Sequence, residues 1–101
     1  MTVARYMLDK VCKFHRVVSD EVWFFIKGAP TCLYIPGQAI RLDTENCAAV
    51  VKAGTWQGAE AEGKALFTLV VSPGFNFEDW EMAKPSQLTD LYPSDLISRL
   101  T

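Results

Sequence analysis

The stretch HRVVSDEVWFFIKG, residues 15–28, decides the fold of this chain. Its second half, residues 21–27, alternates apolar side chains on both faces of an extended strand. One face carries Val22, Phe24 and Ile26, and the other carries Trp23 and Phe25. A strand that is apolar on both faces has to be covered twice. The stretch therefore predicts a strand inside a layered all-β fold.

Short strands separated by turn residues account for most of the remaining sequence. Glycine and proline clusters such as Pro36-Gly37 and Pro73-Gly74 mark the turns. A hairpin is expected around Pro36-Gly37, because the proline presets the turn conformation. Seven strands at this spacing are typical of a β-sandwich or barrel. The predicted strands are residues 2–8, 21–27, 31–35, 39–43, 47–52, 55–59 and 64–72.

The C-terminal part of the chain changes character. Residues 85–91 and 94–100 predict two short helices, the second with Ser94 as its N-cap. An apolar stripe on that helix should dock it on the barrel, and it consists of Leu96, Ile97 and Leu100. We therefore predict one domain over residues 1–101, with a barrel at about residues 1–77 and a short helical tail at about 78–101.

Charge and hydropathy argue against two classes of partner. The chain has 101 residues and a net charge of −2, and its Lys and Arg residues are scattered singly. We therefore expect no nucleic acid and no membrane partner. No apolar run approaches the ~20 residues needed to cross a bilayer. Residues 1–10 lack the apolar segment of a secretory signal, which favours a cytoplasmic location.

The cysteines do not suggest a structural cross-link. Cys12, Cys32 and Cys47 are odd in number, widely spaced and without a CxxC pair. This is neither a disulfide framework nor a zinc-binding pattern. We expect three reduced, half-buried thiols.

Strands that are apolar on both faces also indicate whether the chain associates with a second copy. Residues 64–72 repeat the pattern of residues 21–27, with apolar side chains on both faces. The barrel interior covers one face, and a second subunit is the natural cover for the other. The sequence therefore predicts a homodimer.

Two motifs carry a resemblance to the cupin jelly rolls. The intervals between His15, Val17, Glu21 and Gly28 match the first cupin motif, with valine in place of its second histidine. The stretch KAGTWQ resembles the second motif, with Gln57 in place of its histidine. The resemblance implies an all-β cupin-type jelly-roll barrel or sandwich with one or two short C-terminal helices.

A third stretch narrows the resemblance. HRVVSDEVWFF, AGTWQGA and VSPGFNFEDWE are together similar to one RmlC-like cupin subfamily, whose usual pattern is HR-V-x-SDE-x-W, PAG-x-WQ and PGF-x-F-x-D-F-E. Phe24 stands where that subfamily usually has histidine. Because Phe24 lies on the face opposite Glu21, this departure affects the predicted subunit interface rather than the pocket.

The resemblance implies that His15, Glu21 and Gln57 point into one pocket. A complete cupin metal site has three histidines and a glutamate, and only His15 and Glu21 remain here. We therefore predict no metal and no other cofactor. The remaining ligand-binding candidates are Trp23, Trp56, Phe25 and Arg16, the last through its planar guanidinium.

Metal-free cupins of the deoxysugar epimerase type use a histidine and a carboxylate to remove a proton beside a carbonyl. The resemblance thus implies an isomerase or epimerase with His15 as acid and base, Glu21 as its orienting partner and Gln57 as an anchor. The substrate would be a small polar molecule such as a sugar or keto acid. The alternative is a small-molecule-binding cupin without catalysis, and a metal-dependent dioxygenase is weaker because of Val17 and Gln57.

Each candidate also has a structural interpretation. His15 can be hydrogen bonded within the barrel, and Gln57 can be exposed in a turn. Glu21 can pair with Arg16 or Lys27 on the surface, and Arg16 itself can form an ordinary salt bridge. The aromatic candidates can be ordinary core or can close one end of the barrel, and they are Trp23, Trp56, Phe25, Phe75 and Phe77.

Overall fold

The computed structural model describes residues 1–74 and 77–101, apart from the side chain of Phe77. The predicted role of Phe75 and Phe77 at the barrel end therefore lies outside the described residues. The strands are β1 (Thr2–Arg16), β2 (Asp20–Gly28), β3 (Thr31–Ile35), β4 (Gln38–Leu42), β5 (Ala48–Val51), β6 (Gln57–Ser72) and β7 (Glu81–Met82). One α-helix, α1 (Ser94–Arg99), follows, and turns of 3-10 helix lie at Phe77–Asp79 and Pro85–Gln87.

Strand β6 is the central strand of the sheet and pairs with β1, β2 and β3. It pairs with β1 along almost its whole length, from Val71 opposite Thr2 to Gln57 opposite His15. Its other edge pairs with β2 through its C-terminal half and with β3 through its N-terminal half. Strands β4, β5 and β7 extend the sheet beyond β3, β2 and β1, and every pairing is antiparallel. The predicted all-β architecture and the hairpin at Pro36-Gly37 are confirmed.

Two predicted strands, residues 55–59 and 64–72, are parts of the single strand β6. Gly58 and Gly63 suggested turns, but both lie within the strand. Gly58 has a packing reason, because a Cβ atom there would lie 2.8 Å from the Phe14 ring. The glycine marks a close approach rather than a break.

Strand β1 is twice as long as the predicted residues 2–8. The charged residues after Leu8 are exposed, so they hide the strand pattern in the sequence. Pairing with β6 shifts register between Asp9 and Val11 and again between Cys12 and His15. Such β-bulges bend a strand and redirect its side chains. The second shift places Phe14 in a cluster with the tail and His15 on the barrel interior.

The main core fills one end of the barrel. At this end Gly28 has a φ of 110°, and a Cβ atom on it would lie 2.8 Å from the Ala65 Cα. Only glycine fits this position without moving the backbone. The core consists of Leu8, Trp23, Phe25, Leu33, Leu42, Ala49, Val51, Ala59, Ala65 and Phe67.

The C-terminal tail packs on the outside of the barrel. The predicted stripe is confirmed, since Leu96, Ile97 and Leu100 are all buried there. Helix α1 is preceded by Pro93 as N-cap without a side-chain cap bond, so the predicted Ser94 cap is wrong. The predicted helix at residues 85–91 forms only one 3-10 turn, Pro85–Gln87, and residues 88–91 form turns whose last bonds run from Leu91 and Tyr92 to the Leu88 oxygen.

All three cysteines are free, but Cys47 is exposed rather than half-buried. Within residues 1–74 and 77–101, no helix has the length and apolar character needed to span a bilayer.

Candidate functional site

A cavity of about 700 Å³ occupies the other end of the barrel interior. Strands β1, β2 and β6 form most of its wall, and Trp80 and Met82 complete it next to β7. Its chemistry comes from a few side chains among many apolar ones. These are Tyr6, Cys12, His15, Glu21, Trp23 and Trp80.

His15 has a defined tautomer. Its Nδ1 atom lies 2.8 Å from the backbone oxygen of Lys13. A carbonyl oxygen only accepts, so Nδ1 carries the proton of this bond. Burial lowers the pKa of His15, and the Lys13 carbonyl opposes this shift to a smaller extent. The imidazole is therefore uncharged at neutral pH, and its Nε2 lone pair is left without a partner among the described residues.

Glu21 is the second titratable group of the wall and is 4% exposed. Burial raises the pKa of Glu21, while the Gln57 amide and the Trp23 indole lower it to a smaller extent. No cation pairs with this carboxyl among the described residues. A buried carboxyl without a cation favours its protonated form, in which it can donate a hydrogen bond.

Gln57 lies behind the wall rather than on it. It is fully buried, and its Oε1 accepts a 2.9 Å hydrogen bond from Trp23 Nε1. This bond fixes which end of the amide is the donor. Its Nε2 makes no hydrogen bond within the described part of the chain, although the amide is close enough to stabilise the charged form of Glu21. Gln57 therefore has an unused donor near the carboxyl.

Tyr6 and Cys12 add two weak acids to the wall. Cys12 Sγ lies 3.9 Å from His15 Nδ1. Burial is the main cause that raises the pKa of both Tyr6 and Cys12. The neighbouring Cys12 raises the pKa of Tyr6 further, whereas the hydrogen bond with Tyr6 opposes the rise for Cys12. The phenol and the thiol are therefore uncharged at neutral pH, like the imidazole.

Trp80 forms the outer wall of the cavity. Its ring is nearly parallel to the His15 imidazole, with 6.1 Å between centroids and 25° between planes. Its neighbour Met82 also lines the cavity and is half exposed. Trp80 and Met82 thus make this side of the cavity apolar and aromatic.

Comparison with known families settles the relationship of the chain. The family described as Cupin superfamily (DUF985) matches residues 1–83. The chain belongs to the cupin superfamily. Its antiparallel strands around one interior are accordingly a cupin jelly roll. A search of the curated proteins finds no match.

Solved structures support the fold assignment. A protein from Shewanella oneidensis is 27% identical with a TM-score of 0.82, over 98% of this chain and 73% of that one. A hypothetical protein from Leishmania major is 22% identical with a TM-score of 0.80, over 98% and 74%. A double mutant of ChmJ, a 3′-monoepimerase from Streptomyces bikiniensis in complex with dTDP, is 15% identical with a TM-score of 0.70, over 93% and 57%.

The metal site of a complete cupin does not fit these residues. Val17 lines the cavity at the position of the second motif histidine and cannot bind a metal. His15 can offer one ligand atom, Nε2, since its Nδ1 donates to the Lys13 oxygen. No group of three or more His, Cys, Asp or Glu side chains comes together among the residues that the structure describes. The donor set is too small for a tight transition-metal site.

Three of the predicted site residues line this cupin cavity together: His15, Glu21 and Trp23. His15 and Glu21 are not hydrogen bonded to each other in the described structure, and the Lys13 carbonyl orients the imidazole instead.

Three predicted ligand-binding residues lie elsewhere. Phe25 packs edge-on against Phe67 in the main core. Trp56 is buried in the tail cluster, because Gly58 lets that cluster pack closely on β6. Arg16 lies over the Trp56 ring at 4.3 Å and pairs with Glu81 at 2.9 Å. The Arg16 guanidinium therefore already has two partners outside the cavity.

Three residues line the cavity but were not predicted as site residues: Tyr6, Cys12 and Trp80. They differ in whether a sequence pattern could have identified them. Tyr6 shares the inward face of β1 with Ala4 and Leu8, so strand alternation could have identified it. Cys12 continues the same alternation beyond Leu8, but its exposed charged neighbours hide the strand pattern, and only the register shift between Cys12 and His15 brings both side chains to one cavity. Trp80 lies within the third motif, and only tertiary structure brings it to His15.

Proposed function

We propose that this cupin binds a small molecule in the cavity and transfers a proton with His15, as a metal-independent isomerase or epimerase does. The observation that carries the proposal is the Lys13–His15 hydrogen bond. It leaves Nε2 as an uncharged base on the wall of a cavity that also holds Glu21. A base that is uncharged at neutral pH is suited to proton abstraction.

The proposed reaction balances with these two residues. His15 Nε2 takes a proton from the carbon beside a substrate carbonyl, and the C–H electron pair forms a carbon–carbon double bond. The Glu21 carboxyl donates its proton to the carbonyl oxygen, which gives an enol. When the deprotonated carbon carries a hydroxyl group, this enol is an enediol. His15 then gives its proton to the former carbonyl carbon and Glu21 recovers a proton from the other hydroxyl group, so the carbonyl moves to the neighbouring carbon and both residues are restored.

The substrate proposed from the sequence is a small polar molecule such as a sugar or keto acid. The structure of ChmJ, a 3′-monoepimerase in complex with dTDP, is similar to this chain and supports epimerase chemistry as the reaction to test. A cytoplasmic location and the absence of nucleic-acid and membrane partners belong to the same proposal.

A second candidate function is binding without catalysis. It is favoured by the lack of a hydrogen bond between His15 and Glu21, which a catalytic pair would be expected to use. Both functions use the same cavity, so only a chemical assay separates them.

Deuterium exchange tests the proposal. Sugars, sugar nucleotides and keto acids are incubated with the protein in heavy water, and exchange beside the carbonyl is followed by NMR. We expect exchange that falls at least about 100-fold in His15→Gln and is unchanged in Arg16→Gln, whose side chain lies outside the cavity. Tight binding without exchange of any ligand would establish the second candidate instead.

We also propose that the outer face of the sheet binds a second copy of the chain. Apolar side chains on this face continue across four strands in one row, in which β5 contributes Val50, β2 Val22, β6 Val70 and β1 Val3. Val3 and Val50 are 61% and 52% exposed. Such a continuous apolar face favours self-association, since an isologous dimer covers it on both copies at once.

Size measurement by light scattering tests the dimer. Phe24 lies beside this row on β2 and is half exposed. We expect wild-type protein to be dimeric at micromolar concentration and Phe24→Glu to be monomeric. Val18→Glu, at an exposed position between β1 and β2, serves as the matched control and should remain dimeric. A monomeric wild-type protein would contradict the proposal.

A further inference from the structure

We propose that the cavity admits an uncharged planar ring that carries an amide-like edge, with the ring against Trp80 and the edge bonded by Glu21 and His15. The inference rests on the small-molecule site proposed above and narrows its ligand class. It does not depend on whether that site catalyses a reaction.

The aromatic wall indicates a planar ligand. Tyr6 meets Trp23 edge-on at 6.0 Å on the inner side of the cavity. Trp80 is 39% exposed at the outer side and belongs to neither core cluster. An indole in this position leaves apolar surface in water that a flat ring would cover, and aromatic stacking adds to that gain.

The charges of the wall indicate an uncharged ligand. The buried polar side chains of the wall have no ion pair among the described residues, and burial favours the uncharged form of each. They are Tyr6, Cys12, His15 and Glu21. The cationic residues of the lining, Arg5 and Lys13, are both exposed. An anionic group inside the cavity would thus be desolvated without a buried cation to offset the cost.

The hydrogen-bonding groups of the cavity wall indicate which polar atoms the bound edge of the ligand carries. Nε2 of His15 can only accept a hydrogen bond, because the proton is on Nδ1. Burial without a cation raises the pKa of Glu21, and the protonated carboxyl can donate a hydrogen bond. A group that offers one N–H and one C=O side by side satisfies both, as primary amides, lactams and imides do. A carboxylate offers two acceptors and would oppose Nε2.

Nicotinamide and nicotinate test this inference, because they share a ring and differ in the charge of the edge. His15 is the only histidine of the chain, so its ring proton Hε1 gives one unmistakable NMR signal. We expect nicotinamide to shift that signal in a saturable manner near neutral pH. Nicotinate should bind at least about 10-fold more weakly, the ratio that 1.4 kcal/mol represents.

Variants of Trp80 locate the ring. Trp80→Ala should weaken nicotinamide binding about 5-fold or more, and Trp80→Phe should retain most of it, since a stacked ring is worth about 1 kcal/mol. Trp56→Phe is the matched control, because Trp56 is buried in the tail cluster. Circular dichroism of each variant verifies folding, and Trp80→Phe keeps the test valid if Trp80→Ala fails to fold.

The outcomes separate this inference from the proposed function. Preferential binding of nicotinate would overturn the inference and leave a small-molecule site of the opposite charge preference. If neither compound moves the His15 signal while a sugar or keto acid exchanges deuterium, the ligand class is wrong and the catalytic proposal stands. If neither compound binds and no substrate exchanges, both proposals fail.

Discussion

The two ends of the barrel are built by the same strands and differ in what they enclose. At the closed end β2 and β6 contribute Phe25 and Phe67, whose rings meet edge-on in the core. At the open end the same strands contribute Glu21 and Leu69 to the cavity wall. Alternation along a strand decides only which side chains face inward. The size and polarity of each inward residue decide whether the interior is packed or open.

The closed end stabilises the fold, whereas the open end carries the proposed function at a cost in stability. Burial of large apolar side chains at the closed end stabilises the fold. At the open end, the buried carboxyl of Glu21 and imidazole of His15 lose hydration with few compensating bonds. Functional sites commonly reduce stability in this way. The comparison therefore predicts that equal substitutions at the two ends have unequal effects.

The largest expected effect is a leucine-to-alanine substitution made at each end. Leu33 is fully buried in the closed end, and Leu69 is a partly buried residue of the cavity wall. We expect Leu33→Ala to lower the free energy of unfolding by about 3 kcal/mol and Leu69→Ala by about 1 kcal/mol, since the latter only enlarges an existing cavity. Urea denaturation measures both. Equal losses would mean that the open end is as tightly packed as the closed one.

The boundary between the ends lies at Trp23, which touches both. Its ring packs edge-on against Phe67, and its Nε1 donates to Gln57. Trp23→Phe removes the donor and leaves the buried Oε1 of Gln57 unpaired, at a cost of about 1–2 kcal/mol. The pKa of Glu21 should rise further, because the indole helps to stabilise its charged form.

Carbon-13 NMR titration of the Glu21 carboxyl measures the effect of Trp23→Phe. Trp56→Phe changes the same residue type in the tail cluster and should leave the Glu21 pKa unchanged. An unaltered Glu21 pKa in Trp23→Phe would show that the indole and the carboxyl are not coupled.

The closed end was more predictable from the sequence than the open end. Alternation in residues 21–27 placed Trp23 and Phe25 on one face, the resemblance turned that face inward with Glu21, and both side chains are buried. Strong apolar periodicity of this kind is a local signal. Gly28, at the glycine position of the first motif, also sits where the backbone requires it.

The open end depends on features that have no local signal. Both register shifts of β1 depend on pairing with β6, which is distant in sequence. They decide that Cys12 and His15 share the cavity while Phe14 leaves it. Trp56 was predicted in the pocket as an aromatic ring that could stack on a ligand, but it lies just before β6 and is buried in the tail cluster. Only Gln57 of this pair approaches Glu21.

A smaller effect concerns the pH dependence of stability. The folded-state pKa of Glu21 is raised above its unfolded value of 4.5, so the folded state binds its proton more tightly. Its contribution to stability is therefore fully present below pH 4.5 and is lost as the pH rises through the folded pKa. Each pKa unit corresponds to about 1.4 kcal/mol.

Glu21→Gln removes this contribution without a large change of shape. We expect the variant to gain stability relative to the wild type between about pH 4 and pH 7, by about 1 kcal/mol. Urea denaturation at the two pH values measures the difference. Glu60→Gln is the contrasting control, because the Arg99 hydrogen bonds lower the pKa of Glu60 and the sign should reverse. A gain that does not depend on pH would rule out a buried protonated carboxyl as its cause.

The smallest expected effect comes from a substitution of Glu81 on the surface beside the cavity. Arg16 was predicted to contact the ligand, but it bonds Glu81 where both side chains are well exposed. An exposed ion pair contributes little, so Glu81→Gln should lower the free energy of unfolding by no more than about 0.5 kcal/mol, and high salt should remove the difference. The His15 NMR signal should keep its pKa, because neither charge is among the causes of its shift. If Glu81→Gln frees the guanidinium to reach the cavity, the His15 pKa will fall, and Arg16 would then belong to the open end after all.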